Sequence, residues 1–214
     1  MIHGEVYQPV GDPIGAVALI HGGFWSVMYG REGLTPHCHV LASLGYTAAN
    51  LGYRRVGEKG GGFPNTCADV VDGLRALGPL TAVVGHSAGG QLALWAAKEL
   101  DPRPRVVISV AGVNDLGRAT ELGYGDAAIN AFAGKRVAEA DPVQRVPIGA
   151  RTVLVSPTHD YEPGRELTAS YAVAARAAGD DVEIVEPRGD HFSVIDAGSE
   201  VWAVVLDVIT QASA

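Results

Sequence analysis

Short apolar runs recur along this chain. A polar loop and then a stretch of helical periodicity follow almost every one. The runs lie at 16–20, 46–51, 82–84, 106–110, 152–155 and 182–185. Near-continuous Val, Ile, Leu and Ala suits strands buried on both faces, as in a parallel sheet, whereas a strand with one wet face alternates. Residues 2–7 alternate more, which predicts an antiparallel edge strand. Apolar residues at helical spacing predict helices at about 34–44, 65–77, 89–99, 164–178 and 198–212. Alternation of strand with helix predicts one α/β domain over 1–214: a mostly parallel central sheet with helices on both faces.

The rhythm breaks between about 116 and 147, a stretch longer than a simple crossover needs. It holds Tyr124, Ile129 and Phe132 and has helical tendency in its middle, so it reads as a small cap over the sheet. Tyr124 and Phe132 then belong to a modest, partly aromatic pocket. Residues 57–64 are glycine-rich but lack the Gly-Lys-Ser/Thr of a phosphate cradle, so they read as a surface loop.

Composition narrows the chemistry. Hydrophobic residues make up 47% of 214 and charged residues 19%, enough apolar content for a sizeable core. The net charge of −8 argues against nucleic acid or an anionic membrane as partner, because both require a basic patch. Without an apolar span or a visible N-terminal signal, the chain reads as soluble and cytoplasmic. Cys38 and Cys67 then read as reduced thiols. His37 and His39 fall on a predicted helix, where positions i and i+2 face apart, and neither HExxH nor CxxC occurs. No metal and no cofactor are expected. The partner is a small molecule, and nothing in the sequence sets an oligomeric state.

The chemistry gathers around Gly85-His86-Ser87-Ala88-Gly89, which fits G-x-S-x-G between a strand and a helix. Glycines two residues either side let the chain turn sharply and push the hydroxyl into the open. A serine needs a base within hydrogen-bond reach and a third group to orient that base. On such a sheet the expected order is serine, acid, histidine. His191, in a Gly-Asp-His loop after the last strand, is the candidate base. Asp160, on the loop after the preceding strand, is the candidate acid, with Asp115 as its rival one strand earlier. Asp190 and Asp196 read as solvated or capping residues. An acyl-transfer oxyanion needs two N–H donors. Ala88 supplies one, and Gly23 or Phe24 of His21-Gly22-Gly23-Phe24-Trp25 supplies the other. Trp25 adjoins that loop and is a candidate pocket residue, although a core position is the default for a tryptophan.

These residues resemble the α/β-hydrolase superfamily over about 5–210. His21-Gly22-Gly23-Phe24-Trp25 resembles the HGGxW motif of kynurenine formamidases and related esterases. Tyr53-Arg54 resembles the YR after the next strand, 85–90 the GHSAGG elbow, and Asp190-His191-Phe192 the DHF around the histidine. Ser156-Pro157 stands where the family's acid loop has His-Gly, with Asp160 still at the matching position. The resemblance implies an α/β-hydrolase fold and hydrolysis of a small ester or amide through an acyl-serine. Carboxylesterase and aryl-formamidase are the implied types. A non-catalytic binding module and an acyltransferase are the alternatives on the same scaffold.

Overall fold

The structure is a computed structural model and describes residues 4–213. Ile2 and His3 of the predicted edge strand lie outside the described residues. Seven strands form one sheet among those residues: β1 Gly4–Tyr7, β2 Gly15–Ile20, β3 Tyr46–Leu51, β4 Ala82–His86, β5 Val106–Val110, β6 Arg151–Val155 and β7 Val182–Val185. Their order is β1-β3-β2-β4-β5-β6-β7. Only β1 runs antiparallel, paired to β3 as the alternating pattern requires; the remaining pairs are parallel.

Parallel neighbours need long crossovers. Most carry a helix: α1 Thr35–Ser43, α2 Asn65–Ala76, α3 Ala88–Ala97 and, further on, α7 Glu162–Ala177. The last helix, α8 Glu200–Ser213, follows β7. Side chains on one strand alternate between two cores. Val17 and Leu19 join Leu41 of α1 and Trp202 of α8 on one face. Ala18 and Ile20 join Leu74 of α2, Leu92 of α3 and Tyr171 of α7 on the other. Every residue of β4 and β5 is buried, which is why those runs read as unbroken. Each Val, Leu or Ile side chain so enclosed contributes roughly 1.5–3 kcal/mol.

Cys38 and Cys67 are free and belong to opposite cores, with the sheet between them. The His37 ring meets the Trp202 ring edge-on at 4.4 Å, while that of His39 meets Tyr7 at 4.8 Å. The two imidazoles point to different partners, as their i, i+2 spacing demands. Among the described residues, no helix is long and apolar enough to cross a membrane.

Between β5 and β6 the chain forms three short helices, α4 Leu116–Glu121, α5 Asp126–Ala133 and α6 Val137–Ala140. Leu116, Ile129, Phe132 and Ala140 bury into the core of α3 and α7. Asp141 ties the end of this excursion to its beginning, accepting from the N–H groups of Leu116 at 3.2 Å and Gly117 at 2.9 Å. Asp115 caps α4, its carboxylate accepting from Arg118 N at 2.8 Å. That engagement is local, at the start of α4.

Candidate active site

Ser87 occupies the turn between β4 and α3 with φ +54° and ψ −118°, a conformation few non-glycine residues adopt. The strain is held from several sides. Ser87 N donates to the Val110 carbonyl at 2.9 Å, and the Ser87 carbonyl accepts from Val113 N at 3.2 Å and Gly90 N at 2.9 Å. The flanking glycines are sterically required. A Cβ on Gly85 would stand 2.0 Å from the Gly89 carbonyl oxygen, and one on Gly89 would stand 2.2 Å from that of Ile20.

His191 and Asp160 reach the serine from the loops that follow β7 and β6. His191 Nδ1 lies 2.8 Å from Asp160 Oδ1, and Nε2 lies 3.0 Å from Ser87 Oγ. A carboxylate only accepts, so Nδ1 carries the proton, Nε2 is the acceptor, and the Ser87 hydroxyl donates to it. The Asp160 side chain is 1% exposed and accepts a further bond from Tyr161 N at 2.8 Å. The acid and histidine loops continue the β6–β7 pairing: Thr158 N donates to the Pro187 carbonyl at 2.9 Å, and His159 N to that of Gly189 at 2.8 Å.

Two further histidines stand beside this trio, and burial pushes both down to about 4. His86 Nε2 donates to the His191 carbonyl at 2.8 Å. His21 stacks on Tyr53 at 4.5 Å, and the Tyr53 hydroxyl donates to the His21 carbonyl at 2.9 Å. Tyr53 thus braces the loop that follows β2. Its neighbour Arg54 faces away, where its guanidinium and backbone N–H engage Asp69.

A cavity of about 310 Å³ opens over Ser87 and His191. Gly23, Phe24 and Tyr124 line it, as the sequence suggests for the last of these. Tyr29, Leu34, Tyr161 and Ile195 also line it and carry no motif that points there. Trp25 and Phe132 do not line it, which corrects their assignment as pocket residues. Each is almost fully buried, at 1% and 2% exposure, and their rings stack 4.4 Å apart at 8°. A large ring flanking a loop beside a cavity can turn to either side, and in this chain the core takes it. His86, the variable residue within G-x-S-x-G, adds a polar contact to the site that no motif signals.

No protein-family model matches the chain, and no curated protein sequence matches it. Solved structures do. Esterase B from Lactobacillus rhamnosis, in a C6-C4 SN3 inhibited form, matches at a TM-score of 0.80 and 21% identity, over 97% of this chain and 81% of that one. The fold is the α/β-hydrolase fold. Butyrate-bound Est2, an esterase of Thermogutta terrifontis, matches at 0.74 and 20%, over 98% and 86%. The Francisella virulence factor BioJ matches at 0.75 and 18%, over 98% and 80%. On the α/β-hydrolase fold as this chain builds it, Ser87, Asp160 and His191 follow β4, β6 and β7.

Proposed function

We propose that the chain is a serine hydrolase of small carboxylic esters. The observation that carries this reading is the unbroken hydrogen-bonded line Asp160–His191–Ser87 at a mostly apolar cavity. In this reading the Ser87 oxygen attacks the substrate carbonyl carbon while its proton passes to His191 Nε2. Asp160 fixes the tautomer and stabilises the imidazolium. Collapse of the adduct breaks the ester C–O bond, and the leaving oxygen takes the proton from His191. Water then enters, gives a proton to the same nitrogen and releases the acid. Ala88 N–H and that of Gly23 or Phe24 receive the oxyanion. Gly23 and Phe24 have φ of +101° and +55°, the left-handed backbone that turns consecutive N–H groups toward a common side.

The lining favours an ester over N-formylkynurenine within the esterase and formamidase branch. Apart from histidines, the walls are aromatic, aliphatic, glycine or Ser87, and His21 and His86 are kept neutral by burial. An amino-acid zwitterion would shed its hydration there without a charged partner, at a cost of several kcal/mol per ion. Butyrate in the Est2 structure agrees with a short acyl chain.

The test is a panel of p-nitrophenyl acetate, butyrate and octanoate together with N-formylkynurenine, run beside fluorophosphonate labelling. Hydrolysis of the short esters and labelling confined to Ser87 are expected, with Ser87→Ala losing on the order of a million-fold in kcat. An unlabelled Ser87 would make the chain a binding module. Transfer of the acyl group to an added alcohol in preference to water would make it an acyltransferase.

A further inference from the structure

We infer that Gln91 is a positioning residue that locks the oxyanion loop to the nucleophile helix and to the 116–147 excursion; this rests on the serine-hydrolase reading above. Gln91 lies one turn beyond Ser87 on α3 and has no exposed surface. Its Oε1 accepts from the Trp25 indole Nε1 at 2.9 Å, and its Nε2 donates to the Ala140 carbonyl at 2.8 Å. An indole nitrogen only donates and a carbonyl only accepts, so the amide has one workable orientation. Glu in its place would lack the donor, and Met would lack both.

The need for such a lock follows from the backbone. Gly23, Phe24 and Trp25 have successive φ of +101°, +55° and +56°. For Phe24 and Trp25 this conformation is strained and persists only where surroundings over-determine it. Trp25 is where they do so. Its carbonyl accepts from Val56 N at 2.7 Å, its ring stacks on Phe132 of α5, and its N–H is held by Gln91. Phe24 is the immediate neighbour of this anchor, and its own ring lies at the cavity. The two proposed oxyanion donors therefore sit on separate segments, Ala88 on α3 and Gly23 or Phe24 on the loop. Gln91 on α3 and Trp25 on the loop form a direct side-chain bond between those segments.

The test compares wild type with Trp25→Phe, Gln91→Met and the double variant. Active sites are titrated with a fluorophosphonate, so that kcat is expressed per reactive serine and misfolded protein is not counted. Each single variant is expected to lose about 10–100-fold in kcat on p-nitrophenyl acetate, with KM changed less than about threefold. Affinity for a trifluoromethyl ketone, which forms the tetrahedral adduct, should fall by the same factor as kcat/KM. The double variant should fall no further than the worse single one. The melting temperature of the double variant should recover part of the Gln91→Met loss, since the double variant leaves only the Ala140 carbonyl without its partner and no longer the indole N–H as well, while kcat does not recover. A kcat per titrated serine within twofold of wild type in Trp25→Phe or Gln91→Met overturns the inference. So does a kcat that recovers in step with melting temperature. Failure of wild type itself to label at Ser87 overturns the hydrolase reading instead.

Discussion

His86 donates from Nε2 to the backbone carbonyl of His191 across 2.8 Å, so one histidine holds the main chain of the other. The first sits inside the nucleophile turn and the second follows β7, at the opposite side of the cavity floor. That bond spaces the two segments, and the Ser87–His191 distance depends on it. Removing the donor with His86→Leu is expected to lower kcat about tenfold, on the scale of losses from sub-ångström misplacement. His86→Gln, which keeps an N–H at similar reach, should restore most of it. Equal rates in the two variants would separate His86 from the positioning of His191.

Acid sensitivity follows from the same residue and from His21. Both are held at about 4 in the fold by burial, against 6.5 in an exposed chain. The unfolded chain therefore takes up the proton first. Their stabilisation is complete above about pH 6.5 and is lost as pH falls toward 4, by about 3 kcal/mol per histidine at that limit. Urea midpoints measured between pH 7 and 4 should fall steadily, and the fall should be shallower in His86→Gln. A flat profile in wild type would mean the imidazoles charge freely in the fold.

Asp160 and Asp115 are separable by experiment. Asp160→Asn is expected to lose about 10⁴-fold in kcat, because the amide holds the wrong tautomer. Asp115→Ala removes a helix cap and should cost about 1 kcal/mol of stability, leaving kcat within a few-fold. Thermal melts and steady-state rates on the two variants decide between the acids.

Cavity width is expected to be set at Gly33. A Cβ there would lie 3.2 Å from the Ile195 methyl, which must yield slightly. Gly33→Val extends that side chain into space bounded by Leu34 and Ile195, both cavity residues. The ratio of octanoate to acetate hydrolysis should fall at least several-fold, on the 1–3 kcal/mol scale of a methylene-sized misfit. An unchanged ratio would place the acyl chain elsewhere.

The fold was legible because its strands are buried on both faces. A near-continuous apolar run such as Val106–Val110 leaves few alternatives, and the observed strand bounds depart from the predicted ones by at most two residues. The convergence of Ser87, Asp160 and His191 was legible through chain order and loop position, which a sheet of this topology dictates. Trp25 and Phe132 were not, because periodicity says that a ring is apolar and not which of two apolar spaces it fills. Gln91 was equally opaque. Its partners, Trp25 and Ala140, are 66 and 49 residues away, and a polar residue one turn into a helix carries no sign of so distant a bond. Tyr29, Tyr161 and Ile195 belong to loops whose course only tertiary packing sets.

The bonds from Thr158 to Pro187 and from His159 to Gly189 make the acid and base loops one continuous ribbon, and that ribbon hangs from β7 at the margin of the sheet. A margin opens at lower free energy than a centre. Ser87, mounted on β4 in the middle, stays put when the margin frays. Heat should thus abolish the proposed activity by unhitching Asp160 and His191 together, several degrees before the body of the protein melts. Inactivation that reverses promptly on cooling, with far-ultraviolet ellipticity still intact, is the signature of that partial opening.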